Sequence, residues 1–309
     1  MRSIGSIPVP IAGVGCNNFG RRIDEQRTRE VVEAALQVGA TLFDTADLYG
    51  DGLSEEFLGR ALGPRRDDVV IVSKFGMRKP PDGLTGGHPI WVGRACEASL
   101  QRLGTDRIDV YLIHQPDDQT PIEDTLSAMS RLVDDGKVRA IGCSNFSAKQ
   151  LEEADDAARE LGVHRFVTVQ NEESLLAREA REEVLPACDR LGLSFMPYFP
   201  LASGLLTGKY RRGQPPPAGS RLAGCGDDAL TDERFDLVER LAAYAEAHGH
   251  TLLELALSWL ASQRQVATVI AGATSDEQVR SNAAAVEAWR LTEDEVAEVE
   301  ELLGDPTPS

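Results

Sequence analysis

The chain has 309 residues, 42% of them hydrophobic, and a formal net charge of −18. That length suits a single α/β barrel of about 250 residues plus insertions, and the apolar share is enough for a large core. The surplus negative charge repels phosphate backbones and anionic lipid, which argues against nucleic acid and membrane as partners.

The five cysteines, Cys16, Cys96, Cys143, Cys188 and Cys225, are scattered, odd in number and free of CxxC spacing. They read as thiols in a reducing cytoplasm rather than as a disulfide framework or a zinc site. The N-terminus shows no basic-then-apolar leader, and no apolar run approaches the roughly 18 residues that span a bilayer. His88, His164, His248 and His250 lack ligand spacing, so no metal is expected.

Residues 4–10 read as a small hairpin closing the bottom of a barrel. Eight short, nearly all-apolar runs follow, at 12–15, 42–46, 69–74, 110–114, 140–144, 167–171, 194–198 and 268–272. Strands buried on both faces of a parallel sheet have this composition. Helical segments begin between them near Asp24, Ser54, Pro89, Thr120, Ser147 and Glu179. The pairs Thr120/Glu123, Ser147/Gln150, Thr251/Glu254, Ser275/Gln278 and Thr292/Glu295 have capping-box spacing. Eight strands with intervening helices predict one domain over 1–309, an α/β fold of the (β/α)₈ TIM-barrel type. A doubly wound sheet would carry GxGxxG after its first strand, and Gly13-Val14-Gly15-Cys16-Asn17 does not complete it. After the seventh strand, residues 209–230 form a long Pro- and Gly-rich loop, and the tail beyond Gly304 is expected to fray.

Chemistry in such a barrel sits at the C-terminal strand ends. The polar residues there are Asp44, Lys74, His114, Ser144-Asn145, Gln170-Asn171 and Tyr198. A charge closing an apolar strand is costly unless paired, so Asp44 and Lys74 are expected as an ion pair. Tyr49 follows in the next loop, where a buried ammonium would lower its pKa and let it protonate a carbonyl oxygen. His114 would hydrogen-bond and orient that oxygen. The chain has no hydride donor of its own, so a cofactor must bring one.

The run Leu42-Phe43-Asp44-Thr45-Ala46-Asp47-Leu48-Tyr49-Gly50, followed by Ser54-Glu55, resembles the aldo-keto reductase signature. Val72-Ser73-Lys74, His114-Gln115-Pro116-Asp117 and Gly142-Cys143-Ser144-Asn145-Phe146 resemble the family's next motifs, and 200–210 its cofactor loop. The resemblance extends from about Gly13 to Asn282, in the family's order and spacing.

It implies a catalytic tetrad of Asp44, Tyr49, Lys74 and His114, with Tyr49 as general acid reducing a small aldehyde or ketone. It implies that Ser144, Asn145 and Gln170 hold the nicotinamide carboxamide of NADPH while Tyr198 stacks on the ring. Leu201, Ser203, Leu206 and Lys209 would line the pyrophosphate, and Gly272, Thr274, Gln278 and Asn282 the adenosine end. Four positions make three departures from the family pattern. Phe199 replaces a common Ser, Ala271 a common Pro, and Gly272 and Gln278 stand where many members place Lys and Arg against the 2′-phosphate. NADH is therefore not excluded.

Phe19, Leu48, Trp91 and residues 77–90 are candidates for an apolar substrate pocket. The alternative reading, also by resemblance, is a nicotinamide-binding redox sensor or regulatory subunit with little turnover. Reduction of a carbon–carbon double bond goes in the family with Glu in place of the site histidine, and His114 argues against it.

Overall fold

The computed structural model describes residues 2–78, 82–223 and 230–304. The expected hairpin forms from β1 (Arg2–Ile4) and β2 (Ile7–Val9), paired antiparallel. Eight parallel strands follow: β3 (Ala12–Gly15), β4 (Leu42–Asp44), β5 (Val70–Phe75), β6 (Ile108–Ile113), β7 (Val138–Ser144), β8 (Thr168–Gln170), β9 (Ser194–Phe195) and β10 (Val269–Gly272). They line up in the order β10-β3-β4-β5-β6-β7-β8-β9. The sheet curls closed where Phe195 bridges Val266 and accepts from the Ala267 N–H at 2.9 Å. The fold is the (β/α)₈ barrel.

The helices are α1 (Glu25–Gln37), α2 (Leu53–Leu62), α3 (Pro89–Leu103), α4 (Ile122–Asp134), α5 (Ala148–Leu161), α6 (Glu179–Glu182), α7 (Val184–Leu191), α8 (Asp232–Ala247), α9 (Leu252–Ser262), α10 (Asp276–Ala288) and α11 (Glu293–Leu303). Three capping boxes form in full, at Ser147, Thr251 and Thr292. Ser275 caps α10 alone, because the Gln278 side chain turns back to the Thr274 N–H. The box expected at Thr120 does not form. Helix α4 starts one residue later, capped at Pro121, which offers no side-chain acceptor, and the Thr120 hydroxyl pairs with Thr85 instead.

Strand alternation sorts the core into two layers. Leu42, Val72, Val110, Leu112, Met196 and Ile270 face the barrel axis and meet Ile4, Ile7 and Val9 of the hairpin, which plugs the N-terminal end. Phe43, Ile71, Phe75, Tyr111, Ile141, Cys143 and Val169 face outward against the helices. Counting by twos along the axial face reaches Asp44, Lys74, His114, Ser144, Gln170 and Tyr198 at the opposite mouth. The seventh strand is shorter than expected, since Pro197 and Pro200 have no N–H for a ladder; Tyr198 joins by a single bridge to Glu172.

Candidate active site

The centre of the site is an ammonium with no exposed surface. Lys74 lies 2.8 Å from the Asp44 carboxylate, donates to the Thr45 carbonyl at 3.0 Å, and reaches the Tyr49 hydroxyl at 3.3 Å. The Gln170 amide donates to the other side of Asp44 at 3.0 Å. A buried charge persists only when its partners replace water, and these four groups do so. Burial acts to lower the Lys74 pKa, but Asp44 and Tyr49 outweigh it, and the net direction is upward.

Tyr49 belongs to no strand. After Asp44 the chain turns, with the Asp47 N–H donating to the Lys74 carbonyl at 3.1 Å and the Tyr49 N–H to Ala46 at 3.2 Å. A 3₁₀ turn over Tyr49–Gly52 then enters α2. Gly50 has φ 58°, and a Cβ there would lie 2.8 Å from the Phe19 carbonyl oxygen, so the turn requires glycine.

The first turn of α2 clamps three strand ends. The Ser54 hydroxyl donates to the Cys16 carbonyl at 2.9 Å and pairs with Thr45 at 2.8 Å. Glu55, fully buried, accepts from the Ser73 hydroxyl and from Arg102 Nε at 2.7 Å.

The expected lowering of the Tyr49 pKa is corrected: burial raises it, and Lys74 only opposes that rise. The phenol keeps its proton at neutral pH, as a general acid must. The His114 ring meets Tyr49 edge-on at 5.8 Å between centroids. Burial, aided by Lys74, depresses its pKa to about 3, so the imidazole is neutral. Its Nδ1 is buried without a partner.

The nicotinamide candidates converge beside this tetrad and are paired among themselves. Ser144 donates to the Gln170 carbonyl at 2.8 Å. Asn145 donates to the His114 carbonyl at 2.9 Å and to Ser144 Oγ at 3.2 Å, and accepts from the Tyr198 hydroxyl at 2.8 Å. Asn145 has φ 63°. The other non-glycine residues with positive φ among those described are Asp51, Phe199, Ala202 and Ser203, all on loops at the same mouth. Strained backbone of this kind concentrates at binding sites.

Leu201 and Ser203 lie on the wall made by the 3₁₀ turn Ala202–Thr207, both half-buried. Leu206 differs from expectation: it is wholly buried in the core and offers no surface to a ligand. Lys209 is exposed, its ammonium 5.3 Å from the Tyr210 ring centroid. In the long loop, Arg212 is engaged by Asp232, Asp236 and Glu239, and Arg221 lies 4.7 Å over the Phe199 ring. Part of that loop, with Cys225, falls outside the described residues.

On the far side, Gly272 pairs in register with Gly15, and Asn18 ties to the Ala273 carbonyl at 3.2 Å. Thr274 and Gln278 are bonded together at the start of α10, and Asn282 is half-buried one turn on. Arg280 is bonded to Gln37.

Of the substrate-pocket candidates, Phe19 is fully buried in the outer core and offers no surface. Leu48 and Trp91 remain half-buried, and 79–81 of the 77–90 loop lie outside the described residues. Among the described residues, two buried carboxyls with unpartnered oxygens escaped sequence reasoning, Asp47 at Oδ1 and Glu173 at both oxygens. Both lie outside the strands and helices, where no periodicity signals burial.

Comparison with known proteins identifies the family to which this barrel belongs. The chain belongs to the aldo/keto reductase family, whose model matches residues 12–303. It is 35% identical over 302 residues to a probable voltage-gated potassium channel subunit beta from Oryza sativa subsp. japonica, covering 94% of this chain and 91% of that protein. Among solved structures it resembles the glycerol dehydrogenase AKR11B4 from Gluconobacter oxydans, at 28% identity and TM-score 0.85, covering 100% and 96% of the two chains. It also resembles the holo form of the aldo-keto reductase AKR11C1 from Bacillus halodurans, at 30% identity and TM-score 0.78, covering 95% and 92%.

Proposed function

We propose that the protein reduces a small aldehyde or ketone to an alcohol, with Tyr49 as general acid and a nicotinamide cofactor as hydride source. The observation that carries this is the Lys74 ammonium placed 2.8 Å from Asp44 and 3.3 Å from a protonated Tyr49, beside a neutral His114.

The residues present fit such a cofactor. Hydroxyl and amide groups of Ser144, Asn145 and Gln170 converge at two adjacent strand ends, β7 and β8, and the Tyr198 ring stands beside them. Ser144, Asn145 and Gln170 would hold the carboxamide, Tyr198 the ring face, Leu201, Ser203 and Lys209 the pyrophosphate, and Gly272, Thr274, Gln278 and Asn282 the adenosine end. When bound, the reduced nicotinamide supplies hydride.

As the new C–H bond forms, the carbonyl π electrons move to oxygen, which takes the Tyr49 proton. Lys74 stabilises the phenolate left behind, and Asp44 keeps the ammonium in place. His114, being neutral, can share a hydrogen bond with the substrate oxygen without adding a charge. Water returns the proton to Tyr49 afterwards.

NADPH is the proposed cofactor by family membership. The adenosine end tempers that preference: Gln278 is engaged with Thr274, Arg280 with Gln37 and Arg212 with three carboxylates. NADH therefore belongs in the test. A reducing, cytoplasmic setting fits the free buried thiols Cys16, Cys96, Cys143 and Cys188. No helix among the described residues is long and apolar enough to cross a membrane.

The second reading, a redox-sensing regulatory subunit of the same fold, is favoured by the rice relative. Paired NADPH and NADH affinities, followed by single-turnover oxidation of the bound cofactor against a carbonyl panel, decide between them. Turnover supports the reductase. Tight binding with negligible turnover across the panel overturns it in favour of the sensor.

A further inference from the structure

Behind the catalytic turn lies a polar cluster that the tetrad does not use. Asp47 is 2% exposed, and its Oδ1 has no partner. Its backbone is tied to the site on both sides. Its own N–H donates to the Lys74 carbonyl at 3.1 Å, and two residues later the chain delivers the Tyr49 phenol to the Lys74 ammonium. A displacement of Asp47 is therefore a displacement of the turn that carries the general acid.

The carboxyl is faced by groups from each element packed around it. Glu55 of α2 is the like charge that acts on it, Arg102 of α3 and Arg78 of the loop after β5 are the opposing cations, and the fully buried Tyr111 hydroxyl of β6 lies within reach of its charge. Arg102 is already committed to Glu55 at 2.7 Å. Asp47 is thus a second carboxyl beside an ion pair that is complete without it.

We propose that Asp47 is a positioning residue for Tyr49: its buried carboxyl, carried on the 46–50 turn that is tied to Lys74, sets where that turn holds the phenol. Burial first, and Glu55 second, push this carboxyl up to about 7, so it gains and loses its proton near neutral pH. The charged form is drawn toward Arg102 and Arg78, away from Glu55. The neutral form is released from that pull, and the backbone bond to Lys74 transmits the difference to Tyr49. Of the groups beside the turn, His114 lies near 3 and Tyr49 is raised above its ordinary value.

The rate readout rests on the reductase reading, so a second readout is chosen that does not. The single-turnover rate of NADPH oxidation by a test aldehyde is followed from about pH 5 to about pH 9 for wild type, Asp47→Asn and Arg78→Met. Wild type is expected to show a step near neutrality, Asp47→Asn to lose it, and Arg78→Met to move it to higher pH, because a cation that favours the carboxylate is gone. NADPH affinity is expected to stay within about threefold throughout, a change of less than about 0.7 kcal/mol.

Arg78 is partly exposed and pairs with a highly exposed Asp51, so its variant serves if Asp47→Asn does not fold. A wild-type profile without the step, a step retained in Asp47→Asn, or a step unmoved in Arg78→Met overturns the proposal. If no carbonyl is reduced, the reductase reading fails on its own, and Asp47 is judged from the Tyr49 phenol. Its ultraviolet titration, isolated by subtracting Tyr49→Phe, should shift by at least about half a pH unit when Asp47 or Arg78 is replaced. Coincident curves overturn the positioning role.

Discussion

Lys74 and Tyr49 meet at 3.3 Å, with the same ammonium 5.0 Å from the centroid of the tyrosine ring. The lysine therefore acts on both the hydroxyl and the ring. It opposes the burial that raises the phenol pKa, and it is poised to stabilise the phenolate more than the phenol.

Replacing Tyr49 with Phe removes the proton donor and keeps the ring. Carbonyl reduction is expected to fall by at least about 10²-fold, with cofactor affinity nearly intact. Stopped-flow hydride transfer and a fluorescence titration of NADPH check the two halves. Retention of more than about a tenth of kcat would mean that another group supplies the proton.

Lys74→Met strands Asp44 in the barrel. Removing one partner of a buried pair costs about 3–5 kcal/mol, so the denaturation midpoint should drop along with turnover. Adding Asp44→Asn removes the stranded charge and should recover part of the stability but none of the activity. Additive losses of stability in the double variant would show that the pair is not coupled.

His114 has its folded pKa depressed to about 3 against an ordinary value of 6.5. The unfolded chain therefore binds the extra proton first, and this residue makes stability fall as pH drops from about 6.5 toward about 3. Above that window its contribution is constant. His114→Asn should unfold less steeply in acid than wild type, as read by denaturant midpoints. Nitrogen NMR should find the wild-type imidazole neutral at about pH 5.

Glu173 works in the opposite direction on the pH scale. Burial lifts its pKa from 4.5 to about 8, and both its oxygens are unpartnered. The folded chain holds the proton longer than the unfolded one, so stability is greatest below about 4.5 and is lost as pH rises through about 8. At neutral pH the loss is on the order of 3 kcal/mol. Glu173→Gln should remove this slope and be more stable than wild type near pH 8. Parallel pH–stability curves for the two proteins would contradict the assignment.

The barrel, and the gathering of three of the four proposed catalytic residues at one mouth, were legible because both follow from short-period patterns. Apolar runs marked the strands, and alternation alone carries Asp44, Lys74 and His114 to one mouth. Motif order supplied Tyr49, which no periodicity could place. What was not legible depended on packing. Nothing local distinguishes Leu206, which enters the core, from Leu201 beside the groove. Thr120 had the spacing of a cap, but a neighbouring threonine competed for its hydroxyl. The direction of the Tyr49 shift turned on the balance between desolvation and one ammonium, which a sequence does not contain.

The clamp made by Ser54 and Glu55 has a wider consequence. It fastens the ends of β3, β4 and β5 to a helix, not to the loops that rim the mouth. The Lys74–Tyr49 pair is thereby braced from behind by a helix, and the loops after β7 to β9 contribute nothing to that brace. Under the proposed function, the choice of substrate could change through those loops without rebuilding the footing of the proposed proton donor.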